Sequence, residues 1–169
     1  MNGGALAPHG ERVQLVCAQS PDELQATRAI FRTYARALAV PECFQDFENE
    51  LEALPGEYAG PRGQLLLALV NGDAVGCCAL RPLDSVDYAN ACEMRRLYVD
   101  PAFRGWGLGR LLAEAQLDFA RINGYHCVLL DTLSDMETAR ALYNELGFEE
   151  IPPYYFNPIA GAHYLKADL

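Results

Sequence analysis

Three alternating glycines, Gly105, Gly107 and Gly109, stand between a strand pattern and a helix pattern. Ala91–Val99 is strand-like, and apolar residues recur after the glycines at the spacing of an amphipathic helix. The residues of that helical face are Leu108, Leu111, Leu112, Ala115, Phe119 and Ile122. A buried strand pattern follows at Cys127–Leu130. Because a strand, a helix and a second strand in this order form a crossover, the two strands are predicted to be parallel neighbours in one sheet.

The first half of the chain predicts antiparallel strands instead. Gln64–Val70 and Ala74–Leu80 are apolar runs separated by Asn71-Gly72, a pair that supplies the positive φ angles of a two-residue hairpin turn. A weaker strand pattern at Arg12–Cys17 precedes this hairpin, and a short one near 162–167 ends the chain.

Capping boxes mark the start of two predicted helices. Ser20 and Glu23 stand three residues apart before the first, and Ser134 and Glu137 stand three apart before the last. Each pair can satisfy the first backbone N–H groups of its helix. One more helix is predicted from about Glu42, with proline and glycine ending it.

Together these elements predict an α/β fold of the α+β kind. We expect a mostly antiparallel, six- to seven-stranded mixed sheet with a central parallel pair and helices on both faces. Residues 1–10 are predicted to be a flexible lead-in and residues 11–169 a single domain, because 169 residues suit one domain of ordinary size.

The charge balance argues against several classes of partner. The chain has 13 basic and 23 acidic residues, a net charge of −10, and its only lysine is Lys166. Neither nucleic acid nor a membrane surface is an expected partner, because both require clustered basic residues. The first residues lack a signal segment and the longest apolar run, Leu65–Val70, is too short to span a bilayer, so a cytoplasmic location is expected. The six cysteines lack metal-binding spacing, so we expect no metal.

The glycine-rich turn is a candidate anion-binding site. Glycines let successive backbone N–H groups approach a ligand, and a helix N-terminus adds about half a positive charge. Arg104 and Arg110 flank the turn, so a diphosphate-like group is the expected ligand. The spacing matches neither a P-loop nor a dinucleotide-binding fingerprint. The alternative is a turn whose glycines serve only tight packing.

From this turn onward the sequence resembles the GNAT superfamily of N-acetyltransferases. The family signature, Arg/Gln-x-x-Gly-x-Gly/Ala, is present as Arg104–Gly109, after a strand that ends in Tyr98-Val99-Asp100-Pro101. A second family pattern, Ala-x-x-Leu-Tyr-x-x-Leu-Gly-Phe, is present as Ala139–Phe148. The resemblance follows the element order of the whole domain and is sharp over Glu93–Phe148.

The resemblance implies acetyl-CoA as cosubstrate. Its pyrophosphate would bind the N–H groups of Gly105–Arg110, and its pantetheine arm would pair with the open edge of Leu97–Val99. Ala139 and Met136 would flank the arm, although the family often has asparagine where this chain has Met136. The implied cofactor-binding residues are Leu97, Tyr98, Val99, Arg104, Gly105, Trp106, Gly107, Leu108, Gly109, Arg110, Met136, Ala139 and Tyr143.

Three residues are implied in catalysis. Tyr143 matches the family's usual general acid, since a phenol can protonate a leaving thiolate; the alternative is a core tyrosine. Glu93, on the strand before the turn, and Asp131, at the end of the next strand, are both candidates for the base. Glu93 is preferred because its longer side chain reaches further from a strand. The alternatives are a solvated carboxylate for Glu93 and a backbone cap for Asp131.

Strand alternation assigns the residues of Ala91–Val99 to two faces. One predicted face carries Glu93, Arg95, Leu97 and Val99, and the other carries Met94, Arg96 and Tyr98.

The sequence leaves open whether the acceptor is a cationic amine or an amine that carries a carboxylate. Either one could be a small molecule or a peptide. Acidic and aromatic residues of the first helices and the tail suit a cationic amine. These residues are Glu42, Asp46, Glu48, Glu50, Glu52, Glu57, Phe44, Phe47, Tyr58, Tyr154, Tyr155 and Phe156. Arg95 or Arg96 suits instead the carboxylate of an amino acid or a peptide terminus. The alternative to an enzyme is a non-catalytic acyl-CoA-binding sensor, and an edge strand near the C-terminus allows a homodimer.

Overall fold

The computed structural model describes residues 5–6, 12–38, 44–133, 137–155 and 161–169. Over these ranges the strands are β1 (Ala5–Leu6), β2 (Arg12–Cys17), β3 (Gln64–Val70), β4 (Asp73–Leu83), β5 (Ala91–Val99), β6 (Cys127–Leu133), β7 (Glu149–Ile151) and β8 (Ala162–Asp168). The α-helices are α1 (Pro21–Leu38), α2 (Phe44–Ala53), α3 (Leu108–Ile122) and α4 (Glu137–Glu145).

All of these strands form one mixed sheet in the order β1-β2-β3-β4-β5-β6-β8-β7. Among the described strands, β5 and β6 are the parallel pair, and every other neighbouring pair is antiparallel. The predicted mixed sheet with a central parallel pair is therefore confirmed. The eighth strand, β1, lies in the segment predicted as a lead-in, and its two residues are too few to produce a periodic pattern.

Local signals in the sequence produce the local structures that they predict. Ser20 Oγ accepts from the backbone N–H of Glu23 at 3.2 Å, and Glu23 Oε1 accepts from the N–H of Ser20 at 3.0 Å, which completes the first capping box. Asn71 and Gly72 form the hairpin turn with φ angles of 50° and 88°. Of the second capping box, residues 134–136 lie outside the described residues.

Two apolar layers cover the sheet, one on each face. Phe31 of α1 and Leu51 of α2 pack against Leu67 of β3 on one face. On the other face Leu112 of α3 packs with Phe148, which follows α4. Each layer buries leucines and aromatic rings, and burial of one large apolar side chain stabilises the fold by about 1.5–3 kcal/mol. Helices on both faces therefore hold the sheet in place.

Two strands extend beyond their predicted ends. β4 continues past Leu80 to Leu83 and β6 continues past Leu130 to Leu133, because the neighbouring strands β5 and β8 pair with the backbone of these extensions. These extensions bring Arg81 and Asp131 into the sheet.

A bulge in β5 overturns the predicted division of its residues between two faces. The register with β4 shifts between Cys77 and Ala79, and Arg96 opposite them has a φ of 60°. Beyond this extra residue, Leu97 and Val99 pack in the layer that contains Met94. Arg96 and Tyr98 therefore lie on the α1/α2 face, together with Glu93 and Arg95.

Candidate active site

The parallel strands β5 and β6 separate soon after they meet. Their register runs only from Ala91 and Cys127 to Glu93 and Leu129. Beyond that point β4 continues to pair with β5, and β8 continues to pair with β6, each on its outer side. The inner edge of β5 from residue 94 to 99 therefore faces an opening in the sheet, where its backbone groups are available to an amide-bearing ligand.

The glycine-rich turn lies directly after this open edge. Gly105 and Gly107 have φ angles of 87° and 78°, and no atom lies within 4 Å of the position that a Cβ would take at either one. Gly107 is the N-cap of α3 and has no side chain with which to cap the first turn. Gly109 differs, because its Cβ would stand 3.7 Å from Leu142 and 3.9 Å from Val99. Two glycines thus leave open space above the helix N-terminus, as an anion requires.

The two arginines that flank the turn differ in their surroundings. Arg104 donates from Nε to the carbonyl of Val99 at 3.0 Å, and its guanidinium lies 5.9 Å above the ring of Tyr98. Arg110 pairs with Glu114 and Glu145, so much of its charge is already neutralised. Trp106, which packs edge-on against Phe103 at 5.0 Å, gives the turn an apolar wall.

Tyr143 lies on α4 beneath the opening and is 7% exposed. Its ring packs edge-on against Phe148 at 5.5 Å. Burial raises the pKa of Tyr143, and nearby Cys78, Tyr34 and Asp131 raise it further, so the phenol stays protonated at neutral pH. Ala139, one turn earlier on α4, packs at the edge of the same core. Met136 lies outside the described residues.

Asp131 stands on β6 two residues beyond the last residue paired with β5. Tyr155 donates its hydroxyl to Asp131 Oδ2 at 2.6 Å. Burial raises the pKa of both Tyr143 and Tyr34, and the charge of Asp131 raises both further.

Glu93 is enclosed rather than solvated, with a side chain 3% exposed. Its Oε1 accepts from Nε of Arg81 at 2.8 Å and lies 2.7 Å from Nη2 of the same residue. Its Oε2 accepts from the hydroxyl of Tyr154 at 2.7 Å. The interpretation of Glu93 as a carboxylate on a solvated strand face is therefore wrong.

Glu50 of α2 holds two arginines of β5. Arg96 binds it through Nε at 3.0 Å and Nη2 at 3.2 Å, with the guanidinium 5.2 Å from the ring of Phe47. Arg95 donates from Nη1 to Glu50 Oε1 and to the hydroxyl of Tyr58, both at 3.1 Å. Burial raises the pKa of Tyr58 to about 12, so this hydroxyl stays neutral.

These pairs neutralise much of the acidic surface from which a cationic substrate was predicted. Besides Glu50, Glu57 pairs with Arg81 and Glu48 pairs with Arg32. Phe47 and Tyr58 are buried, and Tyr154 and Tyr155 bond to the two candidate bases. Glu42, Phe156 and the side chain of Phe44 lie outside the described residues.

Sequence reasoning missed two residues of the site. Arg81 lies just past the predicted strand Ala74–Leu80, yet it stands directly opposite Glu93 in the β4–β5 register. Tyr34 of α1 carries no motif signal, yet its ring lies 5.9 Å from that of Tyr98 and 5.8 Å from the guanidinium of Arg96. If the antiparallel pairing of β4 with β5 is extended beyond the predicted strand end at Leu80, Arg81 comes to lie opposite Glu93.

An open helix N-terminus beside an open strand edge would suit a long ligand with both phosphates and amides. The model of the acetyltransferase (GNAT) family matches residues 24–148, and the chain belongs to this family. A protein from Salmonella typhimurium, solved with its cofactor acetyl-CoA, shares the fold at a TM-score of 0.70 and 23% identity, covering 92% of this chain and 93% of that one.

The similarity to two relatives covers different shares of the chain. An uncharacterized N-acetyltransferase from Schizosaccharomyces pombe is 32% identical over 158 residues, which cover 93% of this chain and 95% of that protein. The N-acetylaspartate synthetase of Danio rerio is 29% identical over 119 residues, which cover 70% of this chain and 41% of that protein. Among the described residues, none of the helices combines the length and apolar character needed to cross a membrane.

Proposed function

We propose that the protein transfers an acetyl group from acetyl-CoA to the primary amine of a small molecule or peptide. The observation that supports this most is the convergence of an open strand edge, an uncapped glycine turn and a buried tyrosine at one opening in the sheet. Backbone N–H groups of Gly105–Arg110 would hold the pyrophosphate, and the main chain of Leu97–Val99 would pair with the pantetheine amides. Ala139 would flank the arm.

The residues of the opening suit direct attack by the amine. Glu93 and Asp131 are the carboxylates that would take the amine's proton, so that the nitrogen attacks the thioester carbonyl as a free base. The new C–N bond forms while the C–S bond breaks, and Tyr143 gives its proton to the departing thiolate. The second proton of the attacking nitrogen then passes to the Tyr143 phenolate, which leaves a neutral amide and the CoA thiol. The raised pKa of Tyr143 keeps that proton in place until the thiolate forms.

Arg95 is the residue that would recognise a carboxylate on the acceptor. Arg96 is committed to Glu50 through two hydrogen bonds. The described hydrogen bonds of Arg95 use only Nη1, and the side chain is 24% exposed on the same face as Glu93. The N-acetylaspartate synthetase of Danio rerio has a name that implies an amino acid acceptor, which supports an amine with a carboxylate over a polyamine.

Replacing Arg95 with glutamine is expected to raise KM for an acidic amino acid acceptor about 10- to 100-fold. A charge-assisted hydrogen bond contributes about 1.5–3 kcal/mol, and about 1.4 kcal/mol corresponds to tenfold. The measurement is acetylation of aspartate, glycine, putrescine and a short peptide, with Arg62→Gln as the control because Arg62 pairs with Asp84 on the exposed surface. An equal effect of Arg95→Gln on putrescine would remove the carboxylate role.

Acetyl-CoA binding is tested by isothermal titration calorimetry of two matched glycine variants. Gly107 and Gly124 lie at opposite ends of α3 with φ angles of 78° and 80°, and both have open space at the Cβ position. Alanine should strain the backbone equally at both sites, by about 1–2 kcal/mol. We expect Gly107→Ala to weaken acetyl-CoA binding about tenfold or more and Gly124→Ala to leave it unchanged.

Two results would contradict the proposed function. Equal acetyl-CoA affinities for the two glycine variants would show that the turn is not the phosphate site. Tight acetyl-CoA binding by a protein that acetylates no amine of the panel would favour the non-catalytic acyl-CoA sensor instead.

A further inference from the structure

Both carboxylate oxygens of Glu93 are occupied by neighbouring side chains. Arg81 approaches Oε1 with two nitrogens, at 2.8 Å and 2.7 Å, and Nε of Arg95 lies 3.7 Å from the same oxygen. Oε2 accepts the hydroxyl of Tyr154 at 2.7 Å. With a side chain only 3% exposed, Glu93 offers an acceptor amine no direct contact.

Tyr154 is the neighbour that can pass a proton to Glu93. The guanidinium groups at Oε1 carry donors and no acceptor, so they cannot receive a proton from an amine. A phenol oxygen both donates and accepts. The ring of Tyr154 is held at 5.2 Å from Tyr155 and 5.4 Å from Tyr164, which fixes its hydroxyl against Oε2.

We propose that the Tyr154 hydroxyl relays the amine's proton to Glu93, a step that rests on the function proposed above. An N–H bond of the substrate ammonium breaks, and its proton bonds to the Tyr154 oxygen. At the same time the hydroxyl's own proton moves to Glu93 Oε2. The nitrogen keeps its electron pair for the attack on the thioester carbonyl, Tyr154 stays neutral, and Glu93 becomes a neutral acid. After product release Glu93 gives this proton through the Tyr154 hydroxyl to solvent water.

The surroundings of Tyr154 favour the neutral phenol that this relay needs. Burial raises its pKa, and the charges of Glu93 and Asp131 raise it further. A tyrosinate would have no proton to give to Glu93. The charged and titratable groups around the pair are Arg81, Arg95, Glu57, Asp131, Tyr155 and Tyr164.

Asp131 and Tyr155 supply the internal comparison. Tyr155 bonds to Asp131 at 2.6 Å, in the same segment of chain and beside the same rings. Asp131 is half-buried and Tyr155 is 42% exposed, so solvent reaches this pair. Tyr155→Phe therefore tests the alternative in which Asp131, rather than Glu93, takes the amine's proton.

The test compares two kinds of acceptor. With the best acceptor of the amine panel, which enters as an ammonium ion, Tyr154→Phe is expected to lower kcat/KM about 100-fold, the usual size of a general-base contribution. With hydroxylamine, which is neutral in the assay buffer, the same variant should retain the wild-type rate. The defect should also shrink as pH rises, because more of the amine is then already deprotonated. Tyr155→Phe should lower kcat/KM less than Tyr154→Phe does. Tyr125→Phe, which loses a buried hydroxyl that donates to the carbonyl of Arg62 away from the opening, is the control and should stay within about threefold of wild type on both acceptors.

Glu93→Gln is the second variant, since glutamine keeps the shape of Glu93 and cannot take up the proton. It should show the same loss with the ammonium acceptor and the same retention with hydroxylamine. Acetyl-CoA affinity, measured by calorimetry, should remain that of the wild type in all of these variants.

The outcomes separate the relay from the proposed function. An equal loss with both kinds of acceptor would mean that Tyr154 only supports the structure, and would overturn the relay. A normal Tyr154→Phe enzyme, or a defect confined to Tyr155→Phe, would overturn it as well while the acetyltransferase stands. Failure of the wild type to acetylate any amine would overturn the proposed function, and the relay with it.

Discussion

Replacing Tyr143 with phenylalanine is expected to lower kcat by about 100- to 10,000-fold, the range of a lost general acid. The variant keeps the ring that packs at 5.5 Å from Phe148, so the core and the wall of the opening stay intact. It removes the one phenol that α4 places beneath the opening, and the leaving thiolate must then take its proton from water. The affinity for acetyl-CoA should change little, because in the proposed binding mode backbone groups of other residues would contact the pyrophosphate and the pantetheine arm.

A second buried tyrosine provides the control for this experiment. Tyr125 belongs to the same core, is 6% exposed and donates its hydroxyl to the carbonyl of Arg62 at 2.7 Å. Tyr125→Phe also loses a buried hydroxyl, but at a distance from the opening, and should keep the wild-type kcat. Steady-state kinetics with saturating acetyl-CoA make the comparison. If both variants retain full activity, Tyr143 is a core tyrosine and the acid lies elsewhere.

Replacing Glu50 with alanine is expected to reduce the free energy of unfolding by about 3–5 kcal/mol, the usual cost of removing one partner from a buried ion pair. Arg96, whose side chain is 16% exposed, would lose both of its hydrogen bonds to a carboxylate. Arg95 would lose one as well. Tyr34 and Phe47 surround the guanidinium of Arg96 with aromatic rings, so water cannot readily replace the missing oxygens.

The same helix supplies the matched control. Glu48 pairs with Arg32 at 3.5 Å, but the two side chains are 51% and 41% exposed. Exposed pairs of this kind contribute about 0–1 kcal/mol. Urea unfolding of Glu48→Ala should therefore nearly overlay the wild type, whereas Glu50→Ala should unfold at a clearly lower midpoint. Equal midpoints for the two variants would show that the Glu50 network does not stabilise the fold.

The pH dependence of stability should report the same network. Burial raises the pKa of Glu50, but Arg96 and Arg95 outweigh burial, and the net pKa is lowered. A carboxylate whose pKa is lower in the folded state stabilises the protein above its unfolded pKa, about 4.3 for glutamate. That stability is lost as pH falls through the folded pKa. Glu50→Gln should therefore show a shallower loss of stability at acidic pH than the wild type.

Much of the fold followed from short-range patterns in the sequence. The capping box at Ser20, the Asn71-Gly72 turn and the glycines after β5 each specify backbone geometry within a few residues. Such signals need no distant partner, so the strands, the helices and the glycine-rich turn were predicted near their observed positions. The single parallel pair followed as well, because a strand, a helix and a strand can return to the same sheet in few ways.

The tertiary structure decided which sheet face each β5 side chain takes and which residues the charged side chains of β5 contact. A bulge is one extra residue whose position is set by the neighbouring strand, and no periodic pattern of β5 shows that Arg96 turns to the face of Glu93. The enclosure of Glu93 needs Arg81 from another strand and Tyr154 from the tail.

The sequence by itself determined the family fold, the glycine-rich turn at the start of α3, and the placement of Tyr143, Glu93 and Asp131 on their elements, because these depend on local backbone preferences and motif spacing. Only the tertiary structure decided which acidic residues pair with arginines and which carboxylate a tyrosine covers. The side chains that form these contacts are far apart in the chain. Glu50 and Tyr58 are 8 positions apart, and Glu93 and Tyr154 are 61 positions apart. Their geometry exists only after the sheet has formed, since burial and charge pairing are properties of the packed chain.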